Sequence, residues 1–279
     1  MDYPWKVKIS HECPLNLMDK LTEWNDYDYA LVHLFEEYPK YFDFMSKQVA
    51  GGRHVLLDNS IFELGEAFDW DRYIYWLLKL CPTEYIIPDS LENTNLTIEN
   101  FDKWERKYKN RVPVDTTSIG VVQGKTYEEL VYCYNAMALR ADKIAISFDY
   151  SFYLSIGLGR NKWEQFMDGR KRFIDMLIAD GFWRFDKKHH LLGCALPQEF
   201  QSYDWEYLNI ETLDTSNPVQ QALLGQIYTE SGLRTKESAK LVDSTFNRET
   251  FTEEEHGRIS YNCNMFKRLA RGNVNNESA

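Results

Sequence analysis

Eight short apolar runs recur along the chain, each closed by a polar break and most followed by a stretch with helical spacing. They are Trp5–Ile9, Tyr29–Leu34, His54–Leu57, Glu84–Pro88, Ser118–Val122, Lys143–Phe148, His189–Ala195 and Tyr207–Leu213. Most are β-branched or aromatic and too short for helices, so they predict strands. Between them, Trp70–Leu80, Tyr127–Ala141 and Trp163–Ala179 carry apolar residues at helical spacing, and Thr126 with Glu129 has the spacing of a capping box. Strands alternating with helices predict a parallel sheet, and eight repeats predict its closure into an α/β fold, the (β/α)8 TIM barrel. After Asp214 the pattern changes. Val219–Tyr228, Ser238–Phe246 and Thr252–Gly272 read as helices, the last with an acidic start and a basic end that match the helix dipole. Residues 1–272 therefore read as one barrel domain with C-terminal helices, and the polar segment 273–279 as a disordered tail.

Composition narrows the picture. The 279 residues suit one barrel, and 44% hydrophobic content suffices for its core. The net charge of −11 argues against a generally basic coat for nucleic acid, while leaving room for a local basic face. Five scattered cysteines, none in a C-x-x-C pair, fit reduced thiols and supply no zinc-ligand spacing; no metal is expected. The start, Met1-Asp2-Tyr3-Pro4, lacks the regions of a signal peptide, and no apolar run is long enough to span a bilayer. A cytoplasmic protein without a membrane partner is the expectation.

The carboxyl ends of barrel strands converge on one mouth, so residues distant in sequence share a site. The third strand ends on Asp58 and the fourth is followed by Asp89. Gln123-Gly124 follows the fifth, Ser147-Phe148 the sixth, Gly193-Cys194 the seventh and Asp214 the eighth. Carboxylates and amides read the N–H and C=O edges of a polar heterocycle, glycines permit close approach, and Phe62 offers a stacking face. Each residue alone also has a structural reading: Asp58 or Asp89 as a cap, Gln123 as a satisfied loop amide, Phe62 as core.

Four strings then carry a resemblance. LLDNSIFE stands where the tRNA-guanine transglycosylase superfamily has D-S-G-G-F-Q. IGVVQGKTYEEL is similar to its G-[IV]-V-Q-G-G-x-Y-E-x-L, HLLGCALPQEF to Y-L-M-G-V-G-x-P-E-x-[LI], and IETLDTSNP to V-D-M-F-D-C-V-x-P. The chain resembles most the DpdA-type branch of phages and genomic islands, which places 7-deazaguanines in DNA. The likeness runs from about residue 29 to about 220. It implies Asp214 as nucleophile, Asp58 as general acid/base, and Asp89, Gln123 and the backbone at Ser147 as contacts to the base. Phe62 and Leu192 would sandwich that base, and Gly193 would leave room for it. Departures are plain: Asn59-Ser60-Ile61 replaces S-G-G, Glu63 replaces Gln, and Lys125 replaces a Gly. The sixth strand lacks the Gly-Gly turn, and Ser216-Asn217-Pro218 stands where the family has P-T-R. The Cys-x-Cys-x-x-Cys…His zinc site and an RNA-binding appendage are absent, which favours DNA over tRNA as the polymer.

The implied chemistry suits these residue types. Exchange at an anomeric carbon passes through an oxocarbenium-like state, for which a carboxylate can store the polymer covalently while another carboxyl moves the proton. One glycosidic bond replaces another, so no cofactor is expected; the partners are nucleic acid and a free 7-deazaguanine. A flipped nucleotide calls for a basic rim. The candidates are Arg170, Lys171 and Arg172, then Arg184–His190 with Lys187 and Lys188, and Lys267, Arg268 and Arg271, each equally readable as a solvated helix face. The rival readings are a tRNA-acting enzyme of the same superfamily, a catalytically silent base- or nucleic-acid-binding barrel, and a metal-dependent hydrolase. The last would need a histidine cluster that His33, His189 and His190 do not supply.

Overall fold

The computed structural model describes residues 7–237 and 245–272. Eight parallel strands form the sheet: β1 (Lys8–His11), β2 (Asp28–Leu31), β3 (Val55–Asp58), β4 (Glu84–Ile86), β5 (Thr117–Val121), β6 (Lys143–Ser147), β7 (Lys188–Leu192) and β8 (Ile210–Thr215). The order runs β1-β8-β7-β6-β5-β4-β3-β2, the sequential order of a (β/α)8 barrel. Each expected strand is present within a few residues of its apolar run.

The seam between β1 and β2 is closed mainly by side chains. Asp26 N–H donates to Ile9 O at 2.9 Å, while Ile9 N–H reaches the Asp26 carboxylate at 2.8 Å. Asn25 accepts from His11 N–H at 2.7 Å, and the Ser10 hydroxyl accepts from Tyr29 N–H at 3.0 Å. Polar side chains thus stand in for ladder partners across the seam, and the barrel is nearly closed.

The crossover helices follow from pattern and caps. Trp70–Leu80 starts where the Asp69 carboxylate accepts from Arg72 N–H, and it buries Tyr73, Ile74, Leu77 and Leu80. Removal of such side chains from water contributes about 1.5–3 kcal/mol each. Tyr73 also donates its hydroxyl to Leu57 O (3.2 Å) and Ile86 O (2.7 Å), tying this helix to the carboxyl ends of β3 and β4. Tyr127–Arg140 is capped by Thr126, as expected, but the Glu129 carboxylate turns to Lys125 N–H rather than back to Thr126. The full reciprocal box occurs instead at Thr252 and Glu255, which open the helix Glu253–Arg271.

Between β7 and β8 there is no α-helix, only the 3-10 turn Pro197–Ser202. The C-terminal helix fills that place. Phe266 meets Phe200 edge-on at 5.3 Å, and Trp205 donates to Ala270 O at 2.6 Å. The expected helix 219–228 is the shorter Asn217–Leu223. Most of the expected helix Ser238–Phe246, the tail 273–279 and the start of the first run lie outside the described residues. Phe246 is buried against Tyr38 and Tyr41. No helix among the described residues is long and apolar enough to cross a membrane.

Candidate active site at the carboxyl ends of the strands

A cavity of about 330 Å³ opens at the carboxyl ends of the strands. Asp58, Asp89, Gln123, Phe62, Ser147, Leu192, Gly193 and Asp214 all line it, so the eight catalytic and base-contact candidates come together.

Asp58 ends β3 and is buried. Its Oδ2 accepts from Ser60 N–H at 2.6 Å, and the Tyr29 hydroxyl donates to it as well. Ser60 adopts a left-handed φ of 63° at a place where the resembled family has glycine, a conformation costing on the order of 1–2 kcal/mol in a non-glycine residue. That strain closes the tight turn which aims the Ser60 amide at Asp58. Burial, then the charge of Glu63, pushes the Asp58 carboxyl well above the usual carboxylate range, against the two hydrogen bonds. The setting biases Asp58 towards its protonated form.

Asp214, on β8, faces it across the cavity. Its Oδ1 accepts from His190 Nε2 at 3.0 Å and from Gly193 N–H at 3.3 Å. No other hydrogen bond to this carboxylate is made among the described residues, which leaves Oδ2 for a reacting centre. His190 Nδ1 lies 2.8 Å from the Thr212 hydroxyl. Burial lowers the imidazole's affinity for a proton, although Asp214 raises it. The neutral tautomer that satisfies both partners carries its proton on Nε2. A β-bulge sets this register: His189 pairs with Ile210 and His190 with Thr212, so Glu211 is the extra residue. His190, Thr212 and Asp214 then share the inner face, while His189 stacks outward on Trp183 at 3.9 Å. Tyr29, stacked on His190 at 6.0 Å and bonded to Asp58, links the two carboxyl groups.

Asp89 and Gln123 form a pair. Gln123 Nε2 donates to Asp89 Oδ2 and Asn59 Nδ2 to Asp89 Oδ1, both at 2.7 Å. Gln123 Oε1 accepts from Glu92 N–H at 2.8 Å. The amide thus holds the carboxylate, and burial raises Asp89 above its ordinary range. The Ser147 hydroxyl donates to Asp149 at 2.7 Å. Phe62 stands at the rim, 41% exposed, with its ring 6.1 Å from Phe148. Gly193 has φ 65°, and an added Cβ there would lie 2.4 Å from the Phe148 ring. Phe148 therefore packs where a side chain at Gly193 would stand, and Gly193 itself lines the cavity. Gly124 likewise makes room for Thr94 and the helix that follows it.

The basic rim does not assemble, and each of its members is corrected here. Arg170 is fully buried; it forms a fork with Glu199 (2.6 and 3.0 Å) and donates to Leu192 O (2.9 Å) and Gly193 O (3.1 Å). It braces the backbone whose N–H holds Asp214. Lys171 and Arg172 pair along their own helix with Asp175 and Asp168. Lys187 donates to Ala141 O at 2.8 Å, and Lys188 pairs with Glu211 at the amino end of β7. Lys267 and Arg271 meet Asp26, also at the amino end, and Arg268 lies 3.6 Å from Glu230. Each found a local acceptor, and none lines the cavity.

Sequence reading missed four lining or supporting groups. Glu12 follows β1 as Asp58 ends β3; burial and the charges of Asp214, Glu63 and Asp58 push it well up. His190 is marked by its alternation with Leu192 along β7. Tyr29 lies on β2, and Lys236 beyond the last strand carries no signal in the string. Among the described residues no group of three or more His, Cys, Asp or Glu side chains is arranged to hold a metal ion.

No protein-family model matches the chain, and no curated protein matches it. Solved structures that match include methylaspartate ammonia lyase from Clostridium tetanomorphum (mutant L384A), at 10% identity and a TM-score of 0.44, covering 75% of this chain and 53% of the lyase. Another is the protein CitE from Mycobacterium tuberculosis in complex with magnesium and acetate, at 12% identity and a TM-score of 0.44, covering 75% of this chain and 85% of that one. The chain spans about half the length of the lyase.

Proposed function

We propose that this barrel is an enzyme, a transglycosylase that exchanges guanine in nucleic acid for a 7-deazaguanine base through a covalent aspartyl–nucleotide intermediate. The observation that carries the reading is the pair Asp58 and Asp214 on one cavity, in opposite settings. Asp58 is biased towards its protonated form, and Asp214 is oriented through Oδ1 by His190 and Gly193, its other oxygen accepting no hydrogen bond among the described residues. In the first half-reaction the Asp214 oxygen bonds to C1′ as the C1′–N9 bond breaks. The bonding pair leaves with guanine, which takes the Asp58 proton. In the second, the incoming base gives its N–H proton to the Asp58 carboxylate, its nitrogen bonds to C1′, and Asp214 departs. The site retains the configuration at C1′ because two displacements occur. Asp89, held by Asn59 and Gln123, faces the same cavity as an acceptor for the N–H edge of a guanine-like ring.

DNA is the preferred polymer in this reading, following the likeness of the four strings to the DNA-modifying branch. The test offers equal amounts of guanine-containing DNA and tRNA with a labelled 7-deazaguanine and then digests both to nucleosides. Label in deoxynucleosides is expected. Label in ribonucleosides alone would return the protein to the tRNA branch, and label in neither would end the transglycosylase reading.

A further inference from the structure

Charge is divided unevenly around the cavity. Seven carboxyl residues and two lysines line it among the described residues, and both lysines lie at Trp163. Lys236 Nζ sits 4.5 Å from the Trp163 ring centre and 4.9 Å from that of Phe148, and donates to Cys194 O at 2.5 Å. Lys162 Nζ lies 4.4 Å from the Trp163 ring. The rings continue as a row: Phe148 to Phe166 at 6.3 Å, Phe166 to Trp163 at 6.2 Å, and Phe62 to Phe148 at 6.1 Å. The charges of Asp58, Glu63 and Asp214 act on Glu12, whereas the carboxylates that act on Lys236 are Asp149 and, less strongly, Glu199. A strand delivering a nucleotide here must set its phosphates against lysine, because the carboxylates would repel them.

We propose that Lys236, set between the rings of Phe148 and Trp163, contacts one phosphate of the strand whose nucleotide enters the cavity, and that the aromatic row beside it stacks the adjoining base. The inference deepens the base-exchange reading, on which the identity of the strand rests. An ammonium has three donors, and among the described residues Cys194 O accepts from one of them. Base stacking on aromatic faces next to a cationic contact is a general way to hold single strands and flipped nucleotides. Burial lowers the Lys236 ammonium to about 8, against support from Cys194 and Asp149 and with Arg170 opposing, so an arriving anion restores what desolvation removes.

The test, carried out in an Asp214→Asn background so that no covalent adduct forms, is equilibrium binding of a fluorescent single-stranded guanine-containing DNA oligonucleotide to protein with the wild-type Lys236 and to Lys236→Met over a range of salt. One lost single-strand phosphate contact should reduce the slope of log K against log salt by about 0.7, or about fivefold in affinity at 0.1 M salt. Lys236→Arg should keep the slope. In parallel, methylphosphonate is placed at each linkage in turn. One linkage should weaken binding to the protein with Lys236 by the same factor and weaken Lys236→Met no further. An unchanged slope in a folded Lys236→Met, or a scan of the protein with Lys236 that finds no sensitive linkage, would overturn the assignment, and the scan decides even if the variant does not fold. Normal exchange by the wild-type protein with an unchanged slope would sink only Lys236; a sensitive linkage without that exchange would sink only the transglycosylase reading.

Discussion

At the amino end of the barrel Lys143 is fully buried, with its ammonium 3.1 Å from both Glu84 and Glu211; His54 approaches Glu84 at 3.2 Å and Lys188 approaches Glu211 at 3.0 Å. At the carboxyl end Glu12, Asp58, Glu63 and Asp214 share one cavity, where the charges of the other three act on Glu12 and His190 meets Asp214 at 3.0 Å. The same eight strands carry both arrangements. Where only the fold is at stake, each buried charge has a counter-charge, and the field closes on itself. At the proposed active site like charges are left together, which keeps protons on some of them. Titration separates the ends as well. Burial works to raise Glu84, but His54 and Lys143 hold it down at about 2, so its stabilisation is present above the ordinary 4.5 and is lost as pH falls towards 2. Asp58 is raised, so the sign reverses: the folded state holds the proton, and stability declines as pH rises from the unfolded carboxylate range through the folded value.

The largest expected effect belongs to the carboxyl end. Asp214→Asn should lower kcat for exchange by at least about 10³-fold, since an amide is a poor nucleophile, with little change in melting temperature. Near-normal exchange by this variant would remove the functional half of the comparison. At the other end, Lys143→Met should destabilise the fold by about 3–5 kcal/mol in urea, because two buried carboxylates lose their partner. Exchange per folded molecule should stay within about twofold; a loss of activity in the folded fraction would show that the two ends are not separable.

A smaller effect tests the brace between them. Arg170→Lys keeps the charge but cannot hold Glu199 and two carbonyls in one planar fork. It should lower kcat by about 10–100-fold, as small misplacements of a reacting group do, and leave the KM for free base nearly unchanged. A rise in KM with kcat intact would place Arg170 in binding instead. The smallest effect has the opposite sign for stability. Asp58→Asn should slow exchange yet raise the melting temperature at pH 7, by about 2–4 °C for each kcal/mol of buried charge relieved. The gain should vanish at pH 3, where the unfolded carboxyl is also protonated. A destabilised variant at pH 7 would contradict the raised affinity of Asp58 for its proton.

The barrel was legible because strands β1–β8 are apolar runs that short-range periodicity identifies, and because eight of them leave few ways to close a sheet. Asp58, Asp89, Gln123 and Asp214 were legible for the same reason: a residue that ends a strand is placed by the strand. Arg170 was not. In the string Arg170-Lys171-Arg172 reads as a solvated cluster, and only its encounter with Glu199, 29 residues away in the 3-10 turn, turns it inward. Glu12 had the same sign as Asp58 and was overlooked with the first strand. His190 needed the bulge at Glu211, a register choice made by two strands together. Lys236 depends on where the return segment crosses the mouth, which no local pattern encodes.

The covalent adduct tests the central claim most directly. The wild-type protein is incubated with a guanine-containing DNA strand in the absence of competing base, denatured, digested with protease and analysed by mass spectrometry. A strand lacking one guanine should be bonded to the peptide that carries Asp214, should disappear in Asp214→Asn, and should discharge when a 7-deazaguanine is added before denaturation. Base exchange proceeding with no adduct on that peptide, or with the adduct on another residue, would contradict the account.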